Sequence, residues 1–244
     1  MASNLMLTGI GDSGSSFTPT SIPTLGFWYD PSDVTSITKD VSNNISQMND
    51  KSGNAYTMTQ VVGANQPLYN SSGINSLGVV SFNDTDKYLS NGGTFNLASG
   101  FTFFVVTKLN TPATVNVWIS KLNLDFLLAG YTGPGILIFS DGNTIATSDL
   151  NTSSHIVTLQ YSTASGGLGN VWVDGVPQTT TGTFSASAIN SVFMALGRYY
   201  ATSADFFDGL IAENMCYQSV LSSTNKNSVG SYLATKWGLT WTTI

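Results

Sequence analysis

Phe206-Phe-Asp-Gly-Leu-Ile-Ala-Glu-Asn-Met-Cys-Tyr217, a short link, and then Ser222-Ser-Thr-Asn-Lys-Asn-Ser-Val-Gly-Ser-Tyr-Leu-Ala-Thr-Lys-Trp-Gly-Leu239 is the stretch whose reading decides the fold. Asp208-Gly209 is a turn signal, because glycine takes positive φ without steric cost. From Leu210 to Tyr217, strict alternation places Leu210, Ala212, Asn214 and Cys216 on one face and Ile211, Glu213, Met215 and Tyr217 on the other. Neither face is plainly polar, which predicts a central strand between two packed layers. Ser222 or Ser223 is suited to cap a helix, since a hydroxyl there accepts an orphan backbone N–H. Val229, Tyr232, Leu233 and Trp237 then recur at helical spacing, and Gly238 is placed to end the helix.

Upstream, short β-branched and aromatic runs alternate with turn signals. Phe101 to Leu109 reads as a core strand, and His155 to Tyr161 and Asn170 to Val173 as two more. Tyr56 to Val61, Gly78 to Phe82 and Ile45 to Met48 are shorter. Asp141-Gly142-Asn143 and Asp174-Gly175 are hairpin turns. About fourteen strands and one terminal helix predict an all-β chain: an antiparallel two-sheet β-sandwich with a short C-terminal helix. Residues 1–24 lack periodicity and are rich in Gly, Ser and Thr. They read as an extended arm before a domain over 25–244, with Leu5, Met6, Leu7 and Ile10 as apolar anchors for a partner.

Several motifs resemble one family in their order. Phe27-Trp28-Tyr29-Asp30, Asn49-Asp50-Lys51-Ser52-Gly53-Asn54, Gln66-Pro67-x-Tyr69, Val80-x-Phe82, Asp86-x-Tyr88-Leu89 and the closing Tyr-Leu-Ala-x-Lys-Trp-Gly are similar to those of laminin-G-like, concanavalin A-like jelly rolls. The branch is that of bacterial surface proteins and phage virion proteins. The similarity runs from about Leu25 to Trp241. Met48 departs from it, standing where the family often has Trp; methionine is a tolerant core filler. The resemblance implies a concanavalin A-like jelly roll and a non-enzymatic virion structural protein, such as a capsid decoration, head-fibre or tail-associated protein. It would join a major capsid protein through its arm, with trimers common among such proteins. A free carbohydrate-binding lectin or adhesin is the alternative reading, and a glycan hydrolase the third.

Composition narrows the chemistry. Of 244 residues only 9% are charged, against roughly 25% in an average soluble protein. The polar surface must therefore be built from Ser, Thr, Asn and Gln, which suits a protein packed against others. Eight scattered basic residues and a net charge of −6 argue against nucleic acid. No long apolar run suggests a membrane span. No secretory signal is visible at the N-terminus, so synthesis in a host cytoplasm and residence on a virion are the expectation. Cys216, the single cysteine, reads as an inert core thiol.

Candidate site residues follow from chemistry. Retaining glycoside hydrolysis needs two carboxylates about 5 Å apart. The chain has one glutamate, Glu213, and no Glu-x-Asp-x-x-Glu motif, so Glu213 reads as a structural hydrogen-bonding group near the sandwich edge and no catalytic residue is expected. His155 is the single histidine and opens a strand, with no nucleophile elbow. One His and one Cys cannot form a zinc site. No cofactor is expected; calcium is the candidate ion, through Asp84 and Asp86 or Asp205 and Asp208, set against the reading that both pairs are turn chemistry. For surface glycans, Tyr131, Tyr199, Tyr200 and Trp241 are the candidate aromatic platforms, with at least one ring of Tyr199-Tyr200 exposed.

Overall fold

The strand at the centre of the molecule is the one anticipated between Asp208 and Tyr217. The computed structural model describes residues 17–93, 95–97, 100–111, 116–121, 127–130, 136–140, 143–145, 150–162, 168–180, 190–191, 194–199 and 205–244. In chain order the strands are β1 (Leu25–Tyr29), β2 (Ile37–Lys39), β3 (Ile45–Met48), β4 (Met58–Thr59), β5 (Leu68–Asn70), β6 (Val79–Asn83), β7 (Leu89–Asn91), β8 (Phe95–Asn96), β9 (Phe101–Leu109) and β10 (Asn116–Lys121). They continue with β11 (Leu127–Gly130), β12 (Ile136–Ser140), β13 (Asn143–Ile145), β14 (Ser154–Ser162), β15 (Leu168–Val173), β16 (Val176–Pro177), β17 (Asn190–Ser191), β18 (Met194–Leu196) and β19 (Asp208–Tyr217), and the chain closes with helix α1 (Ser223–Trp237). Among the described residues an eight-stranded sheet runs β16-β15-β14-β9-β19-β6-β5, with β1 also on β19, and a nine-stranded sheet runs β13-β12-β11-β10-β18-β7-β4-β3-β2. All pairings are antiparallel, and this is the two-sheet sandwich with one terminal helix that the sequence predicts. The strand count among the described residues exceeds the fourteen expected because two- and three-residue strands such as Ile37–Lys39 and Phe95–Asn96 carry too little pattern to read.

Two cores flank the eight-stranded sheet. Between the sheets, Phe103, Val105, Val157, Leu159, Ile211 and Cys216 meet Met48, Met58, Leu89, Trp118 and Leu196. On the outer face, Phe104, Val106, Ile156, Ala212, Met215 and Tyr217 meet Val229, Leu233, Ala234 and Trp237 of α1. Strand β9 shows the division directly, with Phe103 and Val105 turned inward and Phe104 and Val106 outward. Buried area of this kind contributes roughly 25 cal/mol per Å² of apolar surface.

The alternation expected in β19 fails at one point, and the failure matters. Ile211 pairs with Thr107 of β9, but Asn214 pairs with Val105, so two residues of β19 oppose one of β9. This β-bulge at Ala212 and Glu213 shifts the phase of the strand. Leu210 and Ala212 therefore face α1 together with Met215 and Tyr217, while Ile211 and Cys216 face the inter-sheet core. The bulge also falls where the neighbour on the other edge of β19 changes, from β6 at Asp208–Ile211 to β1 at Asn214–Tyr217.

Helix α1 is capped as expected. Ser222 accepts the Asn225 N–H through its side chain, and Gly238 takes the left-handed conformation at φ 65°. Trp241 folds back over Gly230, where a Cβ would lie 2.1 Å from the indole. Asp174-Gly175 forms the β15–β16 turn with both residues at positive φ, and the Asp174 carbonyl accepts the Thr242 N–H. Residues from Phe17 onward, assigned to the arm from sequence, pack against the domain. Pro19 and Ile22 are buried, Ile22 joins the outer core with Phe17 packed against it, and the Pro19 carbonyl accepts the Tyr217 hydroxyl. The packed domain thus begins by Phe17; Leu5, Met6, Leu7 and Ile10 lie outside the described residues.

Candidate functional site

Two polar constellations stand out, one buried and one on the rim. The buried one centres on Glu213, which the bulge turns toward α1. Its Oε1 accepts from Trp28 Nε1 at 2.6 Å and from the Tyr232 hydroxyl at 2.9 Å. Its Oε2 accepts from Trp237 Nε1 at 2.8 Å and meets Lys236 Nζ at 2.8 Å. Each carboxylate oxygen thus has two donors, from β1 on one side and from one face of α1 on the other. The role is structural, as the sequence implies, but the place is the middle of the sheet–helix layer rather than the sandwich edge.

A second carboxylate lies close. Lys236 Nζ is 2.8 Å from Asp30 Oδ1 as well, and Lys51 Nζ joins Asp30 and Asp33 at 3.1 and 2.7 Å. Burial raises the Glu213 carboxyl, and the neighbouring Asp30 charge adds to this; Lys236 and Trp237 act in the other direction. For Asp30, burial is the largest influence and pushes upward, but Lys236, Ser32 and Lys51 outweigh it and the carboxyl is lowered. Two carboxylates about one ammonium are the spacing a glycosidase would want. Access is not: Glu213 is 0% and Asp30 3% exposed, and both Glu213 oxygens are already saturated.

The motifs that carry the family resemblance explain how this centre is held. The Asp50 carboxylate accepts the backbone N–H groups of Trp28, Ser52 and Tyr56 at 2.9, 2.9 and 3.1 Å. Asn54 Nδ2 donates to the carbonyls of Leu25 and Gly26, both at 2.9 Å. The 49–54 loop is therefore tied to β1, and Lys51 reaches over the Trp28 ring at 4.7 Å. Asp30, Lys51, Trp28 and Lys236 were not singled out from sequence. The signal that could have found them is the presence of one glutamate in a strand followed by a helix ending Lys-Trp.

The rim constellation joins two distant acidic stretches. Asp208 pairs in register with Asn83, and Asp84 donates its N–H to the Phe207 carbonyl at 3.0 Å. Asp84 and Asp205 both adopt left-handed backbone, with φ of 58° and 61°. Burial raises the Asp84 carboxyl above the usual range, and Asp208 and then Asp205 add to it. The Asp208 carboxylate accepts from Asn110 Nδ2 at 2.9 Å and from the Thr111 hydroxyl at 2.8 Å. Asp86 is held by Asn83 at 3.2 Å and faces Lys87 at 3.6 Å. Among the described residues no group of three or more His, Cys, Asp or Glu side chains could hold a metal ion. Asp86 faces a lysine, and Asp208 accepts hydrogen bonds from two neutral groups. The reading as turn chemistry fits the left-handed backbone of Asp84 and Asp205.

Of the expected aromatic platforms, Tyr199 and Trp241 are among the described residues. Tyr131 and Tyr200 lie outside the described residues. Tyr199 is buried at 7% exposure, so it offers no open ring. Trp241 lies against α1, with its Nε1 donating to Asn227 Oδ1 at 3.0 Å. His155 is not solvent-facing but half-buried, Nδ1 at 2.7 Å from Asp174 Oδ2 and Nε2 at 3.1 Å from Asn151 Oδ1. Cys216 is buried, and burial raises its thiol well above the ordinary value, as suits an inert core residue.

This geometry defines an antiparallel two-sheet β-sandwich with a helix closing its outer face. No protein-family model and no curated protein sequence matches the chain. Among solved structures it is similar to Trypanosoma rangeli sialidase in complex with 2,3-difluorosialic acid, a covalent intermediate, with a TM-score of 0.60 and 12% identity over 88% of this chain and 33% of the sialidase. The complex of the same enzyme with sialic acid gives a TM-score of 0.59 at 11% identity, again over 88% and 33%. The chain therefore spans about a third of the length of these sialidases. It is also similar to domain 4 of AbnA, a GH43 extracellular arabinanase from Geobacillus stearothermophilus, in complex with arabinotriose; the TM-score is 0.54 and the identity 16%, over 85% of this chain and 97% of that one. At these identities the likeness is one of fold.

Two outcomes test the two constellations. Glu213→Gln replaces an acceptor by an N–H₂ group facing two donors, and it is expected to lower unfolding stability by about 3 kcal/mol in a denaturant titration. A change below about 1 kcal/mol would show that the buried carboxylate does not hold α1. Asp84→Asn is expected to raise the melting temperature at neutral pH. The folded-state carboxyl is raised above its unfolded value, so the native state binds the proton more tightly and the carboxylate destabilises the fold once both states are ionised. The advantage should shrink as pH falls through the carboxylate range. A gain that stays constant with pH would instead reflect only asparagine's ease at positive φ.

Proposed function

We propose that this chain is a non-enzymatic glycan-binding domain. The observation that supports the reading best is the likeness to nearly the whole of a separate arabinanase domain solved with arabinotriose. The rim supplies suitable chemistry, since sugar hydroxyls are recognised by carboxylates, amides and hydroxyls beside an aromatic ring. Asp84, Asp205 and Asp208 contribute carboxylates there, and Asn83, Asn110 and Thr111 neutral polar groups. Arg198 stacks over Tyr88 at 3.7 Å to its ring centroid, in the same chain segment that leads to Asp205. A hydrolytic role is disfavoured because Glu213, the single glutamate of the chain, and its neighbour Asp30 are sealed from solvent. Calorimetry with arabinotriose, sialyllactose and a broad oligosaccharide panel is the test. Binding to at least one glycan, unchanged by chelator and weakened about tenfold by joint Asp84→Asn and Asp205→Asn substitution, is expected; a tenfold loss corresponds to about 1.4 kcal/mol. No binding across the panel ends the reading.

As to setting, we propose that the domain is a virion component, anchored by Leu5, Met6, Leu7 and Ile10 to a neighbouring protein such as a major capsid protein. The support is the 9% charged composition and the resemblance of the closing strand–helix unit to phage virion jelly rolls. In the native source the chain should sediment with a large particle at fixed stoichiometry, and removal of residues 2–10 should release it folded. Recovery of the whole chain in the soluble fraction would refute this setting and leave a free lectin.

A further inference from the structure

The centre around Lys236 holds more than an ion pair requires. Lys236 Nζ lies 2.8 Å from Asp30 Oδ1 and 2.8 Å from Glu213 Oε2, so one amine touches two buried carboxyl groups. Glu213 is closed in by the indoles of Trp28 and Trp237 and by the Tyr232 hydroxyl. Asp30 Oδ1 also accepts from the Ser32 hydroxyl at 2.6 Å and the Ser32 N–H at 3.2 Å, while Oδ2 faces Lys51 Nζ at 3.1 Å. An amine and a carboxyl group held in contact away from bulk water are the reactants of an amide condensation. Fixed contact replaces the entropy of encounter. Exclusion of water disfavours the reverse hydrolysis.

The two carboxyl groups are not equivalent. Burial, with the Asp30 charge next, raises Glu213. At Asp30 burial is outweighed by Lys236, Ser32 and Lys51, and the carboxyl is lowered. Environments that push two carboxyl groups apart give them different roles. Glu213 is the one suited to carry a proton, and it touches the amine from which a proton must go. Lys51 stands beside Asp30 Oδ2, where negative charge develops when a nucleophile adds to the carboxyl carbon.

We propose that Lys236 and Asp30 condense to an intramolecular isopeptide bond, with Glu213 carrying the protons. Glu213 takes a proton from the Lys236 ammonium and gives it to Asp30 Oδ1. The freed Nζ lone pair forms a bond to Asp30 Cγ, and the carbonyl electron pair moves onto Oδ2 beside the Lys51 ammonium. A second proton passes from Nζ through Glu213 to Oδ1. The pair on Oδ2 re-forms the carbonyl, the Cγ–Oδ1 bond breaks, and Oδ1 leaves as water. One ammonium and one carboxylate become one amide and one water, and Glu213 ends as it began. The bond joins the residue that follows β1 to the last turn of α1, two elements that Glu213 already holds together. The inference does not depend on glycan binding or on the virion setting.

The test is mass spectrometry of the full chain, purified folded and then denatured. A mass lower by one water than the sequence requires is expected. Ring closure at an Asp-Gly turn would lose the same mass, so tryptic peptides are read as well. The bond after Lys236 should resist trypsin, and a branched peptide should join the segment of Asp30 to that of Lys236. The full mass, a loss carried by an Asp-Gly peptide, or a bond from Lys236 to Glu213 would each overturn the proposal. Lys236→Arg keeps the positive charge without the primary amine and is expected to retain the full mass. Glu213→Gln, sampled over time after cell-free synthesis beside the unsubstituted chain, is expected to bond about a hundredfold more slowly, as loss of a proton carrier predicts. Bonding at the unsubstituted rate would overturn the role of the glutamate. The mass of the unsubstituted chain decides the main point even if the variants fold poorly.

Discussion

Glu213 is a carboxylate held out of water, and the outer half of the molecule is arranged around that fact. Taking such a group from solvent costs several kcal/mol unless charge and hydrogen bonds are supplied in its place. Here four donors meet two oxygens. One arrives with β1, which lies beside β19 only over Asn214–Tyr217. Three arrive on α1, where Lys236 stands one turn after Tyr232 and beside Trp237, so that all three reach one spot. A helix docked one turn out of place would present none of them. Apolar burial against Val229 and Leu233 supplies much of the attraction between layers, but it is tolerant of sliding; the carboxylate is what specifies the register.

The bulge follows from the same requirement. In a regular strand Glu213 would alternate with Ala212, and one of them would face the inter-sheet core. An unpaired carboxylate among Val105, Leu159 and Trp118 would be far costlier than an interrupted ladder. By opposing Ala212 and Glu213 to one residue of β9, the strand keeps Ile211 and Cys216 inward and brings Glu213 outward. The end of the β6 pairing and the start of the β1 pairing fall at this position, so one irregularity accommodates the polar group and the change of partner.

Much of this was legible from sequence. The bounds of β9, the Ser222 and Gly238 caps and the Asp174-Gly175 turn all depend on local chemistry, which the chain displays directly. The phase of β19 was not legible, because a bulge leaves no mark in an apolar strand; it is imposed by tertiary context. Nor was the packing of Phe17 to Thr24. Their composition is that of a loop, and only the partners of Pro19 and Ile22, nearly two hundred residues away, make them part of a core. At the rim, Asp84 and Asp208 come together through the β6–β19 register. Sequence supplied the acids but not the hydrogen bonds that Asn110 and Thr111 donate to Asp208.

The residues on which the family resemblance rests serve the interior of the fold. Asp50 and Asn54 tie their loop to β1, Trp28 reaches Glu213, Lys51 reaches Asp30 and Asp33, and Lys236 with Trp237 completes the same centre. Each of these groups is engaged inside the fold, and together they lock β1, β19 and α1 into one arrangement. A motif whose every polar atom serves closure can identify an architecture across distant sequences while leaving the rim and the outer helix face free to differ. The chemistry that distinguishes this protein is therefore to be sought where the motifs are silent, in the loops that gather Asp84, Asp205 and Asp208.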